Sequence, residues 1–449
     1  MSSHNEDASE ESSPHVARRF LPPFDGFARS VAILAGGTAA AQLIALAISP
    51  LLTRLYRPDQ IGEFAVYLSI ILIGLPLATL SYEMAIPLPE SREDGASLLF
   101  LALLCALGGS GVLAAASLLA GEWAAHELGL ADLGSALWVL PVGLFIASSL
   151  QAITYWSIRE GDFSSIARSR LAQSSSSAAV QIGAGLLGGG TLGMALGDMC
   201  GRSVGSLVLL FTSIRRSLID WSRIDAKRIR RVASRYRRFP LFQSWGGTFN
   251  TLTSYLPVVL VTIYFQLSVA GEFALAVRVL QAPALLLGSA VAQAYLNQAA
   301  DLARDDPALL LRRFDRLTRR LFTIGLVPAV ALGLFSPTLF PAIFGSSWEA
   351  AGSFGQLLAP MLLALLTVSP LSMTLNVLEL QSWQSAWDVG RTILVLGGLV
   401  VTGSLGATPT TAITVFSIAS TVSYASLYLL ARQGLKRKSI EAVPGRTGF

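Results

Sequence analysis

The chain reads as an all-α polytopic membrane protein with about twelve transmembrane helices in two pseudo-symmetric six-helix lobes. Three observations lead there. Of its 449 residues, 53% are hydrophobic and only 14% charged, against roughly 25% charged in soluble domains. Apolar runs of about 20 residues recur along the whole length, enough to cross a hydrocarbon core of about 30 Å. The runs are continuous rather than alternating, so they specify helices and not an outer-membrane barrel. Finally, the chain repeats itself. Gly62-Glu63-Phe64-Ala65 returns as Gly271-Glu272-Phe273-Ala274, with Thr53 and Thr262 each nine positions upstream. Gly36-Gly37-Thr38 returns as Gly246-Gly247-Thr248. The first offset is 209 residues and the second 210, as a duplicated half predicts.

Taken in order, residues 1–28 are a cytoplasmic tail, polar and acidic at Glu6, Asp7, Glu10 and Glu11. The tail lacks the basic start and apolar core of a signal peptide. The N-terminal lobe covers 29–213, with spans near 30–52, 62–86, 97–120, 134–156, 171–189 and 192–213. Residues 214–243 form a basic amphipathic linker. The C-terminal lobe covers 244–433, with spans near 244–265, 271–297, 321–345, 354–378, 388–404 and 409–431. Residues 434–449 are a basic cytoplasmic tail.

Charge sets the orientation. With the N-terminus cytoplasmic, 29 of the 33 Lys and Arg face the cytoplasm, among them Arg170 and Arg391. Only Arg54 and Arg57 fall outside, and Arg202 and Arg278 lie within spans. That asymmetry puts both termini on the cytoplasmic side. In the linker, Leu218, Trp221, Ile229, Val232, Tyr236 and Phe239 recur at helical spacing among ten basic residues. A helix lying on the anionic lipids of the inner leaflet fits this pattern. Topology already explains the basic run, so it does not indicate nucleic acid.

Gly188-Gly189-Gly190-Thr191-Leu192-Gly193 matches a dinucleotide fingerprint but lacks the strand that fingerprint requires. It is the turn between the fifth and sixth spans. No phosphate-binding loop of the G-x-x-x-x-G-K-[ST] type occurs, so the chain is no self-sufficient pump of that kind. Cys105 and Cys200 lie in apolar runs without metal-ligand spacing. His4, His15 and His126 lie outside the spans. Neither a metal nor another cofactor is expected. No catalytic set stands at the membrane surface, and every outer loop is short, so the chain is not expected to be an enzyme.

Gly193, Gly197, Gly201 and Gly205 form a smooth ridge on the sixth span that lets another backbone come close. Beside it, Asp198 and Arg202 stand at i, i+4 and can pair along the helix. They are either a self-satisfied pair or a charged pair on a wet cavity. Arg278 lies seven residues into the eighth span with no acid at i±3 or i±4. An arginine at that depth needs a cavity or an interhelical partner such as Asp198. Its planar fork suits phosphate. Glu83, near the inner end of the second span, is either a buried carboxylate that carries a proton or pairs with an arginine, or a hydrated headgroup-level residue. Arg54 either binds an outgoing anion or caps the first span. Prolines within spans, such as Pro76 and Pro257, permit kinks.

Several of these stretches together resemble the bacterial oligosaccharide flippases of the multidrug/oligosaccharidyl-lipid/polysaccharide exporter superfamily. They are Thr53-Arg54-Leu55-Tyr56 leading to Gly62-Glu63-Phe64, Tyr82-Glu83-Met84-Ala85-Ile86-Pro87-Leu88-Pro89, and Tyr155-Trp156 followed by Arg159, Phe163 and Arg168. Tyr236-Arg237-Arg238-Phe239-Pro240-Leu241, Ala276-Val277-Arg278-Val279-Leu280-Gln281-Ala282-Pro283 and Phe344-Gly345-Ser346-Ser347-Trp348-Glu349-Ala350-Ala351-Gly352 complete them. Their order covers about residues 29–430. The resemblance implies a place in the bacterial inner membrane, two lobes around a central cavity and export of a polyprenyl-diphosphate-linked oligosaccharide, destined for O-antigen, capsule or exopolysaccharide. Arg278, Arg202 and Arg54 would then be the substrate-binding residues, and Asp198 and Glu83 the ion-coupling candidates. The expected partners are the lipid-linked oligosaccharide, anionic membrane lipids and a polysaccharide polymerase. The alternatives are a multidrug or cation exporter of the same fold, or a membrane polymerase or ligase.

Overall fold

The computed structural model of the protein describes residues 24–127, 137–215 and 225–441. Among them there is no strand. The first six helices are α1 (Phe24–Leu55), α2 (Pro58–Ala78), α3 (Arg92–Glu127), α4 (Val139–Arg159), α5 (Phe163–Leu186) and α6 (Gly190–Arg215). A short helix, α7 (Ala226–Arg235), follows. The second set is α8 (Ser244–Tyr264), α9 (Leu267–Asp305), α10 (Pro307–Phe344), α11 (Glu349–Val368), the single turn α12 (Thr374–Val377), α13 (Gln381–Ser404) and α14 (Pro409–Glu441). Twelve of these are long, six on each side of α7. Nine stretches of the described chain are long and apolar enough to cross a membrane. Helices α5, α8 and α9, which carry much of the inward-facing polarity, are not among them.

Each lobe has its own apolar packing. In the first, α5 packs on α6 and α1, and α4 on α3 and α6. In the second, α11 packs on α10, α14 and α9, and α13 on α14 and α8. The glycine ridge explains the α5–α6 pair. A Cβ on Gly193 would stand 2.6 Å from the Ala184 Cβ, and one on Gly201 2.7 Å from the Gln173 carbonyl oxygen. Ser169 Oγ donates to the Gly205 carbonyl at 2.8 Å. The turn before α6 uses Gly188 and Gly190 at φ +73° and +51°, backbone that glycine adopts without strain.

The lobes meet where the sequence repeats. Helix α2 packs on α9, α2 on α8 and α1 on α9, the pattern a two-fold axis between the lobes produces. The axis runs through the repeated glycines. A Cβ on Gly62 would collide with the Leu267 carbonyl oxygen, and one on Gly271 with the Pro58 carbonyl oxygen. Pro58 and Leu267 are themselves repeat-related at the offset of 209. The two helices therefore cross backbone to backbone at their first turns. Two further bonds tie the lobes at the same end. Trp348 Nε1 donates to the Thr53 carbonyl at 3.0 Å, and Arg54 Nη2 reaches the Ile343 carbonyl at 3.5 Å. Here Arg54 serves an inter-lobe contact rather than a cap of its own helix. At the opposite, arginine-rich end, Gly247 of α8 lies against Pro76 of α2.

Several boundaries differ from the sequence expectation. Helix α2 ends at Ala78, not near 86, because Leu80 and Ser81 adopt left-handed backbone at φ +51° and +53°. The expected span 354–378 stops at Val368, where Ser369-Pro370-Leu371 forms a 3-10 turn. Helix α13 begins at Gln381, which takes Arg391 off the surface and into the helix. Its guanidinium lies 5.5 Å from the Trp387 ring and 5.5 Å from the Tyr424 ring. Helix α5 begins at Phe163, which carries Arg170 inward as well. In the linker, Leu218 and Trp221 lie outside the described residues. Within α7, Val232 is buried among Tyr82, Ile86 and Trp156, and Arg228 pairs with Glu93. The linker helix therefore docks on the first lobe.

Candidate functional site: an arginine-bearing chamber between the lobes

Two adjoining cavities lie inward of the glycine crossing. The first, of about 490 Å³, is walled by α1, α2, α8 and α9. The second, of about 300 Å³, extends between α1, α5 and α6. They share Gln42, Ala45, Leu52, Phe64, Leu68 and Arg278 and so form one branched chamber.

Arg278 stands where the branches join. It follows Gly271 by seven residues, which puts it about 10 Å below the crossing at 1.5 Å per residue. Its repeat mate Ser69 occupies the same depth on α2 and lines the same branch. The Arg278 side chain is exposed to the chamber. Its Nη2 donates to the Ala45 carbonyl at 3.2 Å, a carbonyl of the α1 wall. No acid is bonded to it, so most of its fork is left for a ligand.

Asp198 is not its partner. Arg202 Nε donates to Asp198 Oδ2 at 2.7 Å, with both side chains largely buried. Asp198 still contributes to the second branch, whereas Arg202 is not among its lining residues. Among the described residues nearby, Gln173 Oε1 is buried without a hydrogen-bond partner. Arg170 of α5 faces the same branch, is exposed to it, and has neither a hydrogen bond nor an ion pair with a described residue. Reading it as a loop residue hid it, because the polar stretch 157–170 resembles a connection. The remaining polar lining is uncharged, with Gln42, Ser49, Thr53, Ser69, Ser254, Tyr255 and Gln281 in the first branch, and Gln42, Gln173, Ser174, Ser177 and Gln181 in the second.

The other two candidates lie elsewhere. Arg54 sits at the crossing end and lines neither branch. Glu83 is 1% exposed, in the turn between α2 and α3. It is buried rather than hydrated. Gln151 Nε2 donates to its Oε1 at 3.1 Å, and its Oε2 has no partner. Burial pushes this carboxyl above the ordinary carboxylate range, partly opposed by the hydrogen bond from Gln151. Close by, Arg159 Nη1 donates to the Ile86 carbonyl at 3.1 Å and to the Pro89 carbonyl at 2.5 Å, and its Nη2 to the Ser91 carbonyl at 2.8 Å. Arg159 thus pins the loop that holds Glu83. Among the described residues, no group of His, Cys, Asp and Glu is arranged to hold a metal.

The arrangement of twelve long helices in two lobes resembles the fold of solved transporters of the MOP superfamily. The chain is similar to the lipid II flippase MurJ in an inward closed conformation, at 13% identity and a TM-score of 0.67, over 91% of this chain and 90% of that one. It is similar to a multidrug resistance MATE family transporter in an inward-facing conformation, at 14% identity and a TM-score of 0.66, over 91% and 96%. A MOP superfamily transporter from Pyrococcus furiosus, described as having a binding pocket of reverse polarity, matches at 14% identity and a TM-score of 0.58, over 91% and 96%. No curated protein matches the chain. The model of a family described as polysaccharide biosynthesis protein matches residues 51–353. The chain belongs to that polysaccharide biosynthesis family and is a multi-pass membrane protein.

Proposed function

We propose that the protein is a flippase. It carries a polyprenyl-diphosphate-linked oligosaccharide across the bacterial inner membrane for O-antigen, capsule or exopolysaccharide synthesis. The observation that carries this reading is the pair of guanidiniums without an acidic partner among the described residues, Arg278 and Arg170, facing one chamber between the lobes. Such groups are costly in a membrane unless they meet water or an anion. The forked geometry of arginine matches phosphate oxygens. The family match supports a glycan pathway, and the MurJ likeness supports a lipid-linked cargo.

The arginine-rich end is cytoplasmic by the positive-inside rule, with both termini on that side. The lobes, taken as 29–213 and 244–433, rock about the chamber while the glycine crossing closes its outer end. Arg202 acts through Asp198, holding its charge. Arg54 closes the outer face through Ile343. Asp198 and Glu83 are the coupling candidates, since each is a carboxyl held inside the first lobe. Anionic lipids meet the basic linker, and a polymerase receives the product. The protein acts as a carrier rather than an enzyme. A cation exporter of the same fold would favour a carboxylate-lined chamber, whereas the one carboxylate among the described lining residues is already bonded to Arg202.

The test is Arg278→Ala in the producing cell. Surface polysaccharide is expected to disappear while the amount of protein in the membrane is unchanged. Wild-type surface polysaccharide in that variant removes Arg278 from the site.

A further inference from the structure

The chamber's charge inventory selects among glycans. Among the described lining residues, the two arginines, Arg278 and Arg170, have no acidic partner, and the one carboxylate, Asp198, is paired with Arg202. No acidic or basic residue stands between Arg278 and Asp301 of α9, so the stretch of α9 below Arg278 adds no charge. The other groups available to a ligand are amides and hydroxyls, such as Gln42, Gln281 and Tyr255, which pair with sugar hydroxyls as both donors and acceptors.

A diphosphate esterified at both ends lacks the second ionisation that a phosphate monoester undergoes near pH 6. It therefore carries about one negative charge on each phosphate. Two guanidiniums balance two phosphates with nothing left over. A carboxylate on the sugars would be a third negative charge facing a lining whose described residues offer no further unpaired cation, and a charge taken out of bulk water without a partner is disfavoured. We infer that the chamber is built for a lipid diphosphate bearing an uncharged oligosaccharide and discriminates against one bearing acidic sugars. The inference rests on the flippase reading and adds the substrate class.

The experiment uses the purified full chain in lipid vesicles with two synthetic cargoes. One is a polyprenyl diphosphate carrying a neutral trisaccharide. The other is the same lipid with one hexose replaced by its uronic acid. Appearance of the glycan on the far leaflet is read with an externally added glycosidase. The neutral lipid is expected to cross at least about tenfold faster, the ratio that about 1.4 kcal/mol produces. Gln281→Arg, which adds a guanidinium three residues from Arg278 on α9, is expected to raise the rate for the acidic lipid. Gln42→Lys does the same from the α1 wall, so the prediction survives if one variant fails to fold. Equal wild-type rates for the two lipids overturn the charge selection and leave the flippase reading standing. Movement of neither lipid overturns both.

Discussion

Replacing Gly62 with alanine should loosen the outer closure. The added Cβ meets the carbonyl oxygen of Leu267 and lies 3.0 Å from the Gly271 nitrogen. Both are helix backbone and cannot swing aside as a side chain can, so α2 and α9 must separate. Overpacking of this kind costs about 1–3 kcal/mol. The cost falls only on the state in which the helices touch. At about 2 kcal/mol the ratio of open to closed shifts roughly 30-fold. An open state populated at about 1%, within the usual range for a minor conformer, would rise to about a quarter. Spin labels at Arg57 and Gln266, both exposed beside the crossing, report the separation by pulsed dipolar spectroscopy. The background carries Cys105→Ala and Cys200→Ala. The wild type is expected to give one short distance, and Gly62→Ala a second, longer population. Gly36→Ala is the control, because its Cβ would meet nothing within 4 Å. An unchanged distance distribution in Gly62→Ala, with the protein folded, would refute the crossing as the outer closure.

Three further outcomes follow from the same contacts. Trp348→Phe keeps the buried ring but removes the N–H given to Thr53. A loss of about 0.5–1.5 kcal/mol should widen the same label distance several-fold less often than Gly62→Ala does. Gly201→Leu forces a side chain against the Gln173 carbonyl and should lower the thermal midpoint through a cost of at least about 1–3 kcal/mol. Gly390→Leu, in open space, should leave the midpoint in place. For Glu83 the sign follows from its raised pKa. The neighbouring titratable groups are Cys105, Tyr155 and Tyr82, none of them cationic. Stability is therefore fully present at low pH and is lost as pH rises through the folded value. The midpoint of the wild type should fall over that interval, and Glu83→Gln should flatten the profile. Identical profiles would contradict a buried carboxyl in this role.

Features that violate the local pattern were legible in the sequence. Arg278 stood out because a charge in an apolar run has few explanations, and the glycine repeats stood out because their period is local or constant. The repeated tetrapeptide marked the place where the halves touch, since a duplicated contact across a two-fold axis uses the same residues twice. Arg170 was not legible. The expected span starts at residue 171, one position beyond it, because the stretch 157–170 carries Arg159, Glu160, Gly161, Asp162 and Arg168 and has the composition of a loop, whereas α5 begins at Phe163. The bond from Trp348 to Thr53 joins residues 295 positions apart, and no local pattern announces it. The end of α2 was misplaced because Leu80 and Ser81 adopt left-handed backbone with no glycine to signal it. Arg391 looked like a surface cation, but two aromatic rings on α13 and α14 flank it inside the second lobe.

The most direct test is a cryo-electron microscopy structure of the protein with a polyprenyl diphosphate oligosaccharide bound. The account predicts phosphate oxygens about 2.7–2.9 Å from nitrogens of both Arg278 and Arg170, the range of charge-assisted bonds, beneath a closed Gly62–Gly271 crossing. A diphosphate bound elsewhere, with both guanidiniums still facing an empty chamber, would contradict it.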